Sequence, residues 1–336
     1  MEPTTPYSSR AFCLAPMMEY SDRHCRYLWR LLSRHAWLYS EMVTTGAVIH
    51  GDRQRFLQFN PQEHPVALQL GGSDPKALAQ CSELAQEWGY DEVNLNCGCP
   101  SDRVQNNMIG AVLMRHADTV AECISQMRSA VSIPVTVKHR IGVDDMEDYA
   151  GLLAFVDTVA SAGCTTFIVH ARKAWLQGLS PKQNREIPPL RYDLVYQLKQ
   201  DRPALEIIIN GGLTGLSDCA DQLNHVDGVM VGREAYHNPA WLAGVDQAMY
   251  HSKKTKPDLI NVYGQYVDYC QQQLTQGVRL GTVAKHLLGL FHGQRGARLF
   301  RRYLSDHIHK PGADTDVLWQ ALEFVQGPTP RQAHGQ

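Results

Sequence analysis

The run Asn94-Leu95-Asn96-Cys97-Gly98-Cys99-Pro100-Ser101 sets two thiols at the C-terminal end of an apolar stretch, directly before a turn-forming proline. A thiol at the mouth of a buried strand is positioned to give or take a proton, although most cysteines are simply small buried hydrophobes. In Val135-Thr136-Val137-Lys138-His139-Arg140 the alternation points Lys138 and Arg140 to one side. An inward lysine is costly unless it meets an anion or an electron-rich ligand, the alternative being a stem that snorkels to the rim. His170 closes another apolar run, two residues before Arg172. Asn210-Gly211-Gly212 and Gly232-Arg233 are turns whose glycines let backbone N–H groups approach an anion, with Arg233 able to pair with it. A proton donor, a buried lysine and two phosphate-type turns fit redox chemistry on a phosphate-bearing cofactor. Beside a flavin, Lys138 would stabilise negative charge on the reduced ring. Carboxylate pairs suited to glycoside hydrolysis, His-rich metal spacings and a GxSxG elbow are missing from these positions, so no metal is expected.

Eight short β-branched runs would have to carry these groups: 12–17, 38–43, 66–70, 92–97, 135–140, 166–171, 206–210 and 228–232. Each is followed by a turn signal and a helical pattern. Their near-continuous apolarity fits parallel strands covered by helices, and eight βα units match a (β/α)8 barrel of the α/β class. Such barrels react at the C-terminal ends of their strands, where Met17, Met18, Gln69, Asn96, Cys99, Lys138, Arg140, His170, Asn210 and Arg233 all fall. Asp74-Pro75 reads as a helix start and Gly89 as its end, and Gly163 closes a second helix. Segment 172–189 has no clear periodicity and is longer than ordinary loops, as ligand-contacting loops often are.

From about residue 253 only helical periods remain, which predicts a barrel over 1–250, a helical domain over 251–326 and a polar, unstructured tail over 327–336. Leu280, Val283, Leu287, Leu288 and Phe291 form one apolar stripe. Between residues 294 and 307, Leu299, Phe300, Tyr303 and Leu304 are expected to pack, with Arg295, Arg298, Arg301 and Arg302 on the other side. The chain of 336 residues has a formal net charge of -2. That balance hides an asymmetry: residues 277–310 hold seven Lys and Arg against the single acid Asp306. A basic segment on an otherwise acidic chain points to a polyanionic partner or to a solvated helix face. Nine cysteines without a CxxC pair suggest neither a disulfide framework nor a zinc or iron–sulfur site. A polar start up to Arg10 and the lack of an apolar run long enough for a bilayer predict no signal peptide, no membrane helix and a cytoplasmic protein.

Taken together, Ala15-Pro16-Met17-Met18, Gln69-Leu70-Gly71-Gly72, the cysteine segment, Val137-Lys138-His139-Arg140, His170-Ala171-Arg172, Asn210-Gly211-Gly212 and Val231-Gly232-Arg233 resemble the tRNA-dihydrouridine synthase family over nearly the whole chain. Residues 171–190 look like those of its A subfamily, which modifies the D-loop at positions 20 and 20a. The resemblance implies an FMN-binding barrel, reduced by NADPH, followed by a helical tRNA-binding domain, in a protein expected to be monomeric. By motif the proton donor falls on Cys99 rather than Cys97. FMN contacts carry over to Pro16, Met17, Met18, Gln69, Lys138, His170, Asn210, Gly211, Gly212, Gly232 and Arg233. Contacts to tRNA carry over to Asn96, Gln183, Glu186, Arg298 and Arg301. The implied chemistry is hydride transfer from N5 of reduced FMN to C6 of a uracil and a proton from Cys99 to C5. Asn96 and Arg140 are candidates for polarising the uracil carbonyls. The uracil must be swung out of folded tRNA to reach such a site.

One position departs from the family pattern: Asn107 stands after Gln105-Asn106, where glycine is usual. Asparagine tolerates left-handed backbone best after glycine, so the loop is expected to survive. Two other readings remain open. A small-molecule FMN oxidoreductase of the dihydroorotate-dehydrogenase type would carry similar turns without needing the basic helices. A tRNA-binding factor without catalysis would bind no flavin.

Overall fold

A computed structural model of the chain describes residues 10–101, 108–146 and 149–326. Among the described residues eight parallel strands run in sequential order: β1 (Phe12–Leu14), β2 (Trp37–Thr44), β3 (Val66–Gly71), β4 (Glu92–Cys97), β5 (Val135–Arg140), β6 (Thr166–His170), β7 (Glu206–Asn210) and β8 (Gly228–Val231). β8 pairs back onto β1 and closes the (β/α)8 barrel that the apolar runs predict. β4, β5 and β7 have the expected limits. β1 is shorter than expected, because Pro16 has no N–H for the ladder; Ala15 N–H still reaches Val231 O at 2.8 Å before the chain turns away.

Both faces of each strand are covered. Val137, Phe167 and Ile209 pack outward under the helices, while Ile168, Ile208 and Met230 fill the cylinder. The covering helices begin and end as their sequence dictates. Asp74 accepts Ala77 N–H at 2.7 Å ahead of the helix Pro75–Glu87, and Gly89 takes φ +92 just beyond it.

The barrel floor is polar and closed. Arg10 Nε donates to Glu92 Oε2 at 2.7 Å and its Nη1 to Glu206 Oε2 at 2.8 Å, with the guanidinium 4.4 Å from the centre of the Trp37 ring. Glu92 Oε1 accepts from Tyr39 Oη at 2.9 Å and Thr136 Oγ1 at 2.5 Å. A carboxylate with no exposure is tolerated here because it is fully partnered. Chemistry is thus left to the opposite rim.

After the barrel come the helices Leu259–Thr275, Leu280–Ala284, Ala297–His307 and Asp316–Gln326, with Tyr263, Tyr266, Phe291, Phe300 and Leu304 buried among them. Leu299 departs from expectation: it is 53% exposed. The helix turns Phe300 and Leu304 inward, and a residue one position away lies about 100° off that face. The helices are joined to the barrel through its first helix, Arg23–Leu32. Asp22 caps that helix and also meets Lys285 Nζ at 3.2 Å and His286 Nε2 at 2.9 Å. Lys285 Nζ further donates to Glu19 O at 3.2 Å, which ties the loop after β1 to the C-terminal helices. No helix among the described residues is long and apolar enough to cross a membrane.

Two buried histidines set an acid limit on this fold. His24, whose Nδ1 lies 2.7 Å from Tyr269 Oη, is pushed down to about 3, chiefly by burial. His139, under the helix layer, is pushed down to about 4 for the same reason. Both stay neutral in the folded state while the unfolded chain gains their protons below about pH 6.5. Their contribution is complete above that pH and is lost as pH falls towards the folded values, at up to about 1.4 kcal/mol per pH unit each. Urea midpoints of the protein should therefore drop between about pH 7.5 and pH 5.5; equal midpoints would contradict the buried neutral state.

Candidate active site

Cys99 sits just past the end of β4, and both of its backbone groups are held. Asn96 Oδ1 accepts from Gly98 N and Cys99 N, each at 3.0 Å, and Cys99 O accepts Ala111 N–H at 2.8 Å. Gly110 allows that approach, since a Cβ there would collide with Cys99 O. Asn96 Nδ2 donates to Gln69 Oε1 at 2.8 Å, and Gln69 Nε2 to Asn94 Oδ1 at 2.8 Å. An amide chain inside the barrel thus fixes the cysteine loop. Gln69 and Asn96 act here as supports, with their amides engaged by protein partners.

The two cysteines of the motif differ sharply. Cys97 points outward into the helix layer with 0% exposure, and burial pushes its thiol far up. Cys99 alone among the nine cysteines is not buried, and none is paired in a disulfide. Packing accounts for Cys97; availability singles out Cys99.

Around Cys99 the strand register gathers cations. Asn96 pairs with Lys138, Arg140 with His170, and His170 with Asn210 across β4 to β7. Lys138 Nζ donates to Asn210 Oδ1 at 3.0 Å, while Asn210 Nδ2 donates to Met230 O at 2.7 Å. Although part of Lys138 reaches solvent at the mouth, burial of its ammonium, with Arg140 adding repulsion, brings it down to about 7. Burial and four cations, Arg140, Lys138, Arg172 and Arg185, hold His170 well below its usual range and neutral. Arg140, 2% exposed, donates from Nε to Gly98 O at 3.0 Å and from Nη1 to Lys173 O at 3.1 Å and Asn184 O at 2.9 Å. It straps the cysteine loop to the loop after β6, so any contact with a substrate carbonyl falls to Nη2.

The loop after β6 completes the rim. Arg172 Nη1 donates to Pro188 O, while its buried Nε has no hydrogen-bond partner among the described residues. Gln183 and Arg185 lie exposed on the short turn Gln183–Arg185, with Asn184 buried between them. Glu186 Oε1 meets Arg233 Nη1 at 2.7 Å, so two residues expected to serve different ligands are each other's partners. Gly211 and Gly212 take φ +115 and +74. A Cβ at Gly211 would lie 2.8 Å from His170 Cδ2, and one at Gly212 would lie 2.5 Å from Leu190 Cδ1, so only bare backbone fits there. Pro16, Met17 and Met18 follow β1 at the same rim, with Met17 packed on the inner core and Met18 exposed. Gly232 lies opposite Met17, whose sulfur would be 3.4 Å from an added Cβ.

The donor set suits a phosphate-bearing flavin. Lys138, Arg172, Arg185 and Arg233 surround bare glycine backbone with Glu186 as the carboxylate among them, and the unpartnered Arg172 Nε is a donor for an anion. Arg298 and Arg301 lie elsewhere, exposed on the helix Ala297–His307, while neighbouring Arg302 faces Asp306 at 3.8 Å. Asn107 falls outside the described residues, as does the tail after residue 326. Sequence reasoning missed Arg185, whose charge reaches Cys99 and His170, and Asn184, which knits its loop. The run of polar residues in 172–189 and its likeness to the A subfamily were the signals for both.

Known proteins resemble this chain over nearly its whole length. Residues 13–326 match the family model described as dihydrouridine synthase. A protein of Escherichia coli O6:H1 named tRNA-dihydrouridine(20/20a) synthase is 57% identical over 96% of this chain and 98% of its own length. Proteins of the same name from Yersinia pestis and Shewanella oneidensis are 55% and 56% identical, covering 95% and 94% of this chain and 92% and 94% of their own.

Proposed function

The chain belongs to the dihydrouridine synthase family of flavin-dependent enzymes, and from that premise we propose that it reduces the C5=C6 bond of uridines 20 and 20a in the tRNA D-loop, using FMN and NADPH. The observation that carries this reading is the clamp on Cys99: a thiol open to the barrel mouth, its N–H held by Asn96, within the field of Lys138, Arg140 and Arg185.

Pro16, Met17, Met18, Lys138, His170, Asn210, Gly211, Gly212, Gly232 and Arg233 would hold the cofactor, with Gln69 bracing it from below. When bound, the reduced flavin supplies the hydride that adds to C6. The π pair of the double bond then collects at C5 and the adjoining carbonyl, and Cys99 gives its S–H proton to C5. The thiolate left behind recovers a proton from water. Lys138 offers a positive charge that can rise and fall near neutral pH, which suits a cofactor whose charge changes on reduction. Asn96 fixes the thiol, and Arg140 Nη2 is the group free to polarise a uracil carbonyl.

A uracil must leave the tRNA fold to enter this slot, so the backbone around it has to be gripped. Gln183 and Glu186 on the β6 loop and Arg298 and Arg301 on the C-terminal helices are our candidates, with residues 1–250 as the catalytic unit and 251–326 as the tRNA-holding unit. The enzyme acts as a cytoplasmic monomer in this reading. The purified protein should carry the visible absorbance of an oxidised flavin, and NADPH should bleach it. A colourless protein that takes up no FMN would contradict the proposal, and turnover of free orotate with no need for tRNA would replace it with a small-molecule oxidoreductase.

A further inference from the structure

Seven large hydrophobic side chains are exposed among the described residues, and four of them, Met18, Met108, Trp175 and Ile187, lie on loops at the reacting end of the barrel. Trp175 is the largest, at 41% exposure. Its backbone is held on both sides. Asn184, itself fully buried, accepts Trp175 N–H on Oδ1 at 2.8 Å and donates from Nδ2 to Trp175 O at 2.9 Å. The flanking residues are stitched to the loop after β5: Ala174 N to Gly142 O at 2.9 Å, Asp144 N to Ala174 O at 2.9 Å, and Leu176 N to Asp144 Oδ1 at 2.8 Å. These bonds fix the backbone from which the indole projects. Lys173 Nζ stands over the ring, 4.2 Å from its centre, so one face of the indole is taken by the cation and a stacking partner would use the other.

The same loop is strapped to the catalytic cysteine. Arg140 holds Lys173 O and, through Nε, Gly98 O, the carbonyl immediately before Cys99. The indole and the thiol therefore belong to one rigid rim. An exposed aromatic ring at the mouth of the barrel matches the π-face of a nucleic-acid base, which stacks on such a ring whatever its identity. A nucleic acid that surrenders one base to the slot leaves the neighbouring base without its stacking partner.

Resting on the functional reading above, we propose that Trp175 forms a stacking platform for a base adjacent to the flipped uridine. The indole replaces the lost stack. Trp175 thereby holds the strand open while Cys99 acts.

The test uses the flavin-loaded full chain and two unmodified tRNA transcripts, one intact and one with abasic nucleotides flanking the target. Stacking of one base is worth about 1–3 kcal/mol, so Trp175→Ala should weaken binding of the intact transcript about tenfold, and Trp175→Phe should recover most of it. Flavin content should be unchanged in both. The abasic transcript should bind the wild type about tenfold more weakly and should cost the alanine variant nothing further, because the two changes remove one interaction. Equal binding of the intact transcript by wild type and alanine variant, or losses that simply add, would overturn the platform while leaving the functional reading in place. A wild type that binds no tRNA would instead bring down that reading and this one with it.

Discussion

Cys99→Ala will bind flavin and accept electrons from NADPH as the wild type does, yet form dihydrouridine at least about 1,000-fold more slowly. A positioned general acid contributes about 10²–10⁴ in rate, and no second acid among the described residues is aimed at the same place. Cys97 is buried on the helix side of β4, His170 is held neutral, and Lys138 is committed to Asn210. Stopped-flow bleaching of the flavin by NADPH, followed by single-turnover product analysis on tRNA, separates the two half-reactions. Cys97→Ala provides the contrast. It should lower thermal stability through a small cavity while leaving the rate of reduction within about twofold of wild type. Normal product formation by the Cys99 variant would remove the thiol from the mechanism.

Reversing charge at Arg298 and Arg301 together will weaken tRNA binding by about 100-fold or more at low salt and flatten its salt dependence. Removing one arginine–phosphate pair takes roughly 0.7–0.9 off the slope of log affinity against log salt. The helix itself should persist, since Phe300 and Leu304 anchor it and both arginines face solvent. Flavin uptake should be unaffected, because the rim cations come from strands and loops of the barrel. Filter binding across a salt series measures both quantities. Unchanged affinity and slope would move the tRNA surface away from this helix.

The barrel was legible because its strands are covered on both faces. Such strands read as short unbroken apolar runs, and the runs at β4, β5 and β7 coincide with the observed elements. Cys99, Lys138 and His170 were legible as chemistry because each is a polar residue at the end of such a run. What the chain did not announce was how these groups support one another. Asn96 binds Gln69, and Arg140 joins Gly98 to Lys173 and Asn184. These residues come together only when the barrel closes, and no periodicity encodes a partner dozens of positions away. Leu299 failed for a simpler reason: a helical wheel shows a direction, but only the packed neighbours decide how wide the buried arc is. The joint of Asp22 with Lys285 and His286 was hidden likewise, one end in a capping position and the other in an apolar helical stripe.

Mapping of dihydrouridine in an unmodified tRNA transcript, after incubation with the purified protein, FMN and NADPH, is the most direct test of the central claim. The prediction is conversion of uridines 20 and 20a by the wild type and of neither by Cys99→Ala. A transcript that returns unreduced from a flavin-loaded, NADPH-reduced wild type, or that is reduced equally by both proteins, would contradict it.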